Sequence, residues 1–153
     1  MAAGVASAEQ SAETRTFSSA AEMREVLTHL LSEIEGDSNL GRRLGAAHVS
    51  YRYVFTDFDL ALNISSSDDP GNSIRWSFAD RAEWDPALTF EMSSEVANRY
   101  LQGRENLAIA MARGTIRTSG EASAALSLLP ISGQLNACYR EVLERHHPHL
   151  LLR

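Results

Sequence analysis

Apolar and polar side chains alternate twice between residues 49 and 64. Val49, Tyr51, Tyr53 and Phe55 alternate with Ser50, Arg52 and Val54, and Leu60, Leu62 and Ile64 alternate with Asp59, Ala61 and Asn63. A period of two predicts strands with one face turned to a core. The same period recurs in Ile74, Trp76 and Phe78, in Leu88, Phe90 and Met92, and over Thr115–Ser119. Elsewhere the apolar period lengthens. Met23, Val26, Leu27, Leu30, Leu31 and Ile34 form a helical stripe behind Ser19 and Glu22, which have capping-box spacing. A shorter helix from Ser38 carries Leu40 and Leu44. Ser93 can cap a helix carrying Val96, Ala97, Tyr100 and Leu101, with Gly103 closing it. A further turn carries Leu107, Ala108 and Met111 and ends at Gly114. Ala122, Ala125, Leu126 and Leu129 repeat at helical spacing up to Pro130. Ser132 is placed to cap a last helix with Leu135, Cys138, Tyr139 and Val142 on one side.

These elements predict an α+β domain: a five-stranded, mostly antiparallel sheet covered on one face by helices. The other face should be wet, carrying Arg52, Asp59, Asn63, Arg75, Thr89, Glu91 and Arg117. Residues 1–16 are small and polar and read as a disordered tail, 17–145 as the domain, and 146–153 as a loose C-terminal tail.

Composition narrows the function. The chain has 153 residues, enough for one domain, and a formal net charge of −6. That charge argues against binding a nucleic-acid backbone. All 14 basic residues are arginine, so no Schiff-base lysine exists. A single cysteine, Cys138, excludes an internal disulfide and fits a reducing compartment. The N-terminal residues lack a signal peptide's apolar run, and no stretch is suited to spanning a membrane. The expectation is a cytoplasmic protein, monomeric or weakly dimeric, with no stable membrane insertion; the arginine bias suggests a GC-rich, bacterial genome.

Catalytic signatures are absent: there is no Gly-x-Ser-x-Gly, phosphate loop, His-Glu-x-x-His or dinucleotide fingerprint. Asp57 and Asp59 form a carboxylate pair, but in a turn where aspartate is ordinary. His146, His147 and His149 surround Pro148 without a carboxylate or cysteine to complete a metal site. No cofactor is called for. Tyr51, Tyr53, Tyr100 and Tyr139 all fall on inward faces. Each either finds a backbone carbonyl or water at the core's rim, or lines a cavity and meets a ligand's polar group.

The order strand, helix, glycine, helical turn, glycine, strand, glycine from Leu88 to Gly120 resembles the sterol carrier protein type 2 family. The matching positions are Met92 with Ser93, then Gly103, Asn106, Ala110, Gly114, Ile116 and Gly120, and the likeness extends loosely from Leu44 to Leu143. Arg113 and Arg117 stand where the family often has lysines. The resemblance implies an apolar cavity between sheet and helices and no fixed catalytic residues. On that basis Trp76, Phe78, Phe90, Met92, Tyr100, Met111, Ile116, Leu126, Leu129 and Tyr139 are the expected ligand-binding residues. The implied function is non-catalytic binding and transport of an apolar molecule: a sterol, a fatty-acyl chain, or a polyketide- or terpene-like compound. The alternative is an enzyme of secondary metabolism that folds a reactive apolar intermediate in the same cavity for cyclisation or isomerisation. Tyr51, Tyr53, Tyr100 or Tyr139 would then be the acid, and transient contact with another biosynthetic enzyme would be expected.

Overall fold

The computed structural model of the chain describes residues 16–66, 74–79 and 84–152. The expected N-terminal tail lies outside them as far as residue 15. Thr16 and Phe17 already belong to the packed domain: Phe17 is buried, and Thr16 Oγ1 lies 3.2 Å from Ser94 Oγ.

Helix α1 (Ala20–Gly36) starts where the capping signal placed it. Ser19 Oγ accepts from the Glu22 N–H, while the Glu22 carboxylate accepts from Ser18 rather than Ser19. Its whole apolar stripe is buried. Helix α2 (Ser38–Ala46) follows at once, capped by Asp37, whose Oδ1 accepts from Asn39 and Leu40 N–H at 2.9 Å each. The strands are β1 (Ser50–Phe55), β2 (Leu60–Ser66), β3 (Ile74–Phe78), β4 (Leu88–Met92) and β5 (Arg117–Gly120). Helices α3 (Ser94–Leu101) and α4 (Leu107–Arg113) join β4 to β5. A 3-10 segment (Ala122–Leu128), helix α5 (Ser132–His146) and a short 3-10 turn (Pro148–Leu150) complete the chain.

The sheet order is β3-β2-β1-β4-β5, so β1 is central. Three pairings are antiparallel, but β1 pairs with β4 in parallel, with Tyr51 opposite Leu88, Tyr53 opposite Phe90 and Phe55 opposite Met92. The mixed sheet follows from the β3–β4 connection, which must pass β2 and β1. Its described ends lie on the polar face. Trp84 stacks under the Arg75 guanidinium at 4.3 Å, Asn63 Nδ2 donates to Ala79 O at 2.8 Å, and Ser50 Oγ donates to Asp85 O at 3.2 Å. Asn63, expected on the wet face, is therefore buried. Alternation alone cannot show that a loop will later cover a polar position.

Two glycines carry geometric duties. Gly103 has φ +77°, and a Cβ there would meet Asn136 Nδ2 at 2.9 Å. Gly120 has φ +106°, and its Cβ would meet Ala87 O at 2.5 Å, where β5 closes on β4. Neither position suits an L side chain.

The C-terminal residues are not loose. Leu150 and Leu152 are buried, and a buried polar network holds their backbone. Asn98 Nδ2 and Gln102 Nε2 both donate to Leu150 O, at 3.1 and 3.0 Å, and Leu152 N–H donates to Gln102 Oε1 at 2.8 Å. Arg140 donates to both Gln102 Oε1 and Leu152 O. The apolar triplet Leu150–Leu152 was the sequence signal for this packing; the adjacent histidines obscured it.

Those histidines fasten the segment to α1. His29 Nδ1 and His147 Nε2 lie 3.0 Å apart, the His146 ring sits 4.8 Å from that of His29, and His149 Nε2 reaches Glu22 Oε2 at 3.1 Å. Among the described residues no three side chains are placed to hold a metal ion. Burial pushes His147 below its ordinary value; His29, His149 and His146 add to this, while Glu25 opposes it. A histidine whose folded pKa is depressed resists protonation in the folded state, so its contribution to stability is lost as pH falls below about 6.5. Glu22 is pulled up by burial, but the Ser18 backbone N–H and His149 outweigh this and leave its carboxyl below 4.5. Its contribution disappears only at lower pH. Chemical unfolding should therefore show stability declining in two stages, first below pH 6.5 and again below pH 4.5. His147→Asn should flatten the first stage alone; an unchanged upper stage would remove His147 as its source.

Candidate functional site

The central strand sets the site. Tyr51, Tyr53 and Phe55 project from β1 toward the helices, flanked by Leu62 and Ile64 of β2 and Met92 of β4. The α1 side chains Leu27, Leu30, Leu31 and Ile34 face them, and Ala97, Tyr100 and Leu101 close in from α3. Between these walls is a chamber of about 70 Å³ with no charged lining residue. Such a dry void costs roughly 1–2 kcal/mol of lost packing at the usual penalty per unit volume.

The chamber alone is too small for a lipid, but it adjoins a second space. Tyr53, Tyr100, Leu101, Leu128 and Leu135 line both the chamber and a cleft of about 480 Å³. The cleft runs between the α3–α4 connection, the 3-10 segment and the start of α5. Its volume is within the 300–1,000 Å³ or so typical of small-molecule sites. Its deep end is apolar, and its rim carries Arg104, Glu105, Asn106, Ser132 and Asn136.

Tyr53 and Tyr100 stand where the two spaces meet. Both retain intermediate accessible surface, yet desolvation pushes Tyr53 well above the ordinary phenol range and Tyr100 to about 12. The two observations agree if the exposed ring surface faces the void instead of bulk water. A phenol O–H facing such a space can donate to an acceptor on a ligand. Phe90 stacks on Tyr53, with centroids 4.9 Å apart and planes 10° apart, which fixes the ring from the β4 side.

The other tyrosines have internal partners. Tyr51 O–H donates to Ala124 O at 2.6 Å, and burial raises its pKa. Tyr139 is fully buried, donates to Asn98 Oδ1 at 2.8 Å, and is pushed far above its ordinary value by burial. It belongs to the network under the C-terminal segment, and does not line the chamber or the cleft.

Of the expected ligand-binding residues, Met92 and Tyr100 line the chamber, and Tyr100 and Leu129 the cleft. Phe90 and Ile116 are packed core. Trp76 and Phe78 sit on edge strand β3 under α1, where Trp76 Nε1 donates to Glu35 and Arg24 lies over the Phe78 ring at 5.2 Å. Met111 packs against the core from α4 without reaching either space. Leu126 faces outward. The reason is the period of its segment. Bonds such as Ala124 N–H to Glu121 O and Leu129 N–H to Leu126 O make this a 3-10 segment, which repeats every three residues. Ala125, Leu128 and Ile131 are thus buried, and Leu126 and Leu129 exposed. Ala108 is likewise exposed, whereas Ala97 and Ala125 face the chamber and the cleft respectively.

The turn carboxylates have structural roles, and the expected Ser132 cap does not form. The Asp57 carboxylate accepts from Ser94 N–H and Oγ–H at 2.8 and 2.6 Å, anchoring the start of α3, while Asp59 occupies the β1–β2 turn at φ +50°. They do not form an acid–base pair. Ser132 does not cap α5; it is the first helical residue, and its hydroxyl donates to Leu129 O.

No family model and no curated protein matches the chain. Solved structures do match. Apo sterol carrier protein 2 from Yarrowia lipolytica aligns over 70% of this chain and 87% of its own, at 10% identity and a TM-score of 0.55. The sterol carrier protein domain 2 of Helicoverpa armigera aligns over 71% and 83%, at 17% identity and a TM-score of 0.53. The fold is that of sterol carrier protein 2. A ubiquinone synthesis protein, UbiJ-SCP2, shares it over 71% of this chain and 85% of its own, at 13% identity and a TM-score of 0.54. The chain also aligns with a stereoselective inverting sec-alkylsulfatase from Pseudomonas sp., spanning only 14% of that protein's length at 12% identity and a TM-score of 0.49. That match is too distant to bear on this chain. As a sterol carrier protein 2 fold, the described chain has its helices on the expected face of the sheet, and no helix in it is long and apolar enough to cross a membrane.

Proposed function

We propose that this chain binds and carries an apolar small molecule without chemically changing it. The observation that supports this best is the apolar chamber lying directly beside the larger cleft, with Tyr53 and Tyr100 in the wall of both. An apolar tail in the inner space would gain about 25 cal/mol per Å² buried, before the costs of binding. A single polar group on the ligand would accept from the phenol pair. Fatty-acyl chains and sterols fit this pattern, as do polyketide- or terpene-like compounds. The sterol carrier proteins that share the fold lend the reading support by analogy.

The chemistry of the walls favours carriage over catalysis. A useful general acid has a pKa near the working pH. Burial displaces Tyr53 and Tyr100 upward, away from it, which keeps both hydroxyls protonated. Native mass spectrometry of the purified protein should reveal a co-purifying lipid, and a fluorescent fatty-acid probe should be displaced by lipids. Tyr100→Phe should weaken probe binding about five- to ten-fold, the size of one hydrogen bond. Tyr139→Phe should leave binding unchanged and lower stability. If Tyr100→Phe or Tyr53→Phe abolishes turnover of a bound compound while binding persists, the protein is an enzyme and not a carrier.

A further inference from the structure

Four of the chain's five histidines meet at one place, the seam between α1 and the C-terminal segment. His147 is the joint. It follows the last residue of α5, its N–H donates to Leu143 O at 2.8 Å, and its carbonyl accepts from Leu150 N–H at 3.0 Å. Its ring is buried, with Nε2 3.0 Å from His29 Nδ1. Such a contact needs one nitrogen that carries a proton and one that does not. It survives a proton on either ring. It fails when both rings are charged, because two N–H donors then face each other and two cations share a partly buried seam.

The surrounding charges set the balance. The His146 ring stands 4.8 Å from that of His29, and the His149 ring 6.3 Å from that of His147, so each further proton adds repulsion. Glu25 of α1 draws a proton toward His147. Glu33 of α1 lines a small pocket with Glu141, Arg145 and His146 of α5, where Arg145 already pairs with Glu141 at 2.7 Å. Arg140 is engaged with Gln102 Oε1 and Leu152 O. His149 works in the opposite sense: a proton on it strengthens its contact with the Glu22 carboxylate at 3.1 Å. Burial keeps His147 below the ordinary histidine value, so folding and protonation oppose each other from pH 6.5 downward.

The seam is tied to the ligand site through α3. Asn98 and Gln102 both donate to Leu150 O, and Gln102 Oε1 accepts the Leu152 N–H. Between Asn98 and Gln102 in the chain stand Tyr100 and Leu101, which line both the chamber and the cleft. We propose that these histidines form an acid-sensitive latch: when His29 and His147 are both protonated, residues 147–152 come away from α1, α3 slackens, and the site loses its hold on the ligand. The opening takes up two protons, so it is steeper in pH than the titration of one histidine. Its last step rests on the carrier reading; the latch itself does not.

Amide hydrogen exchange on the full chain follows the latch directly. Protection of the Leu152 amide should fall about ten-fold between pH 7.5 and 5.5, the lower value lying about one unit below the ordinary histidine pKa. At every pH it should be protected less than Tyr53 of the central strand, the mark of a local opening and not of global unfolding. His29→Gln removes one of the two protons and leaves an amide that can donate or accept, so its Leu152 protection should fall no more than about three-fold. Glu22→Gln weakens the opposing contact and should lower Leu152 protection at pH 5.5 by a further factor of about three. Affinity for a fluorescent sterol, which carries no titrating group, should drop about five-fold over the same interval in the wild-type chain and stay constant in His29→Gln. Leu152 protection that ignores pH, or that equals that of Tyr53, overturns the latch. So does a His29→Gln variant that loses protection as the wild type does. Protection lost at unchanged sterol affinity overturns the coupling to the site. A wild-type chain that binds neither the sterol nor the fatty-acid probe at either pH counts against the carrier reading, and the exchange measurements still decide the latch.

Discussion

Replacing Ala125 by tryptophan should abolish probe binding while leaving the fold as stable as before. Ala125 is buried in the wall of the 480 Å³ cleft, on the 3-10 segment close to Leu128. An indole added there has empty volume to enter. It should cost the protein no more than about 1 kcal/mol, since overpacking is penalised only where atoms already fill the space. The ligand would lose the same volume, and affinity should fall by at least about ten-fold. Ala110→Leu provides the contrast, because Ala110 is fully buried and lines neither space. That change should cost about 1–3 kcal/mol and leave probe affinity intact. Ala108→Phe, on the exposed side of α4, should change stability by no more than about 0.5 kcal/mol. Urea unfolding and probe displacement on the three variants decide the matter. If Ala125→Trp unfolds the protein as readily as Ala110→Leu does, or still binds probe at wild-type affinity, then the cleft is not the ligand's site.

The largest loss of stability should come from Asn98→Ala. Asn98 is fully buried; it donates to Leu150 O, and its Oδ1 accepts from Tyr139 O–H at 2.8 Å and from Gln102 at 2.9 Å. Truncation leaves the Tyr139 phenol without that acceptor and removes one of the two side-chain donors to Leu150 O, the other being Gln102. Each stranded buried group costs about 1–3 kcal/mol, and members of a network do not fail independently. We expect about 3 kcal/mol or more in urea unfolding, with residues 147–152 becoming sensitive to protease. Probe affinity should fall as well, because α3 also carries Tyr100. A loss below about 1 kcal/mol would mean that the C-terminal segment is held by apolar packing alone.

Much of this arrangement was legible in the residues. Period-two alternation located all five strands, and the stripe from Met23 to Ile34 identified the helix that roofs the chamber. Trp76 and Phe78, expected among the ligand-binding residues, line neither space. Strand order is the reason: β3 is an edge, so its aromatics pack under α1, while the chamber lies over β1 at the sheet centre. Strand order depends on the parallel β1–β4 pairing, which leaves no mark on alternation. Leu126 falls outside the cleft, and Leu129 lines it while partly exposed, for a local reason. Helical and 3-10 spacings diverge within two turns, and Pro130 signals an end without saying which helix is ending. Asn98, Gln102 and Leu150 had no pattern of their own, because a polar network under a tail joins residues about 50 positions apart.

The parallel pairing also bears on how the chain folds. β1 meets β2 across a four-residue turn, a contact available within microseconds of collapse. Its other edge must wait for β4, since Tyr51 pairs with Leu88 only after the intervening segment has been laid across the sheet. Closing that loop carries an entropic cost before any non-local contact returns it, so it is the natural rate-limiting event. Until then the Tyr51–Tyr53–Phe55 edge is an unpaired, aromatic-rich template of the kind that recruits other chains. Refolding yield should therefore depend on protein concentration more steeply than native stability would suggest, with aggregation competing at the moment when the central strand has only one neighbour.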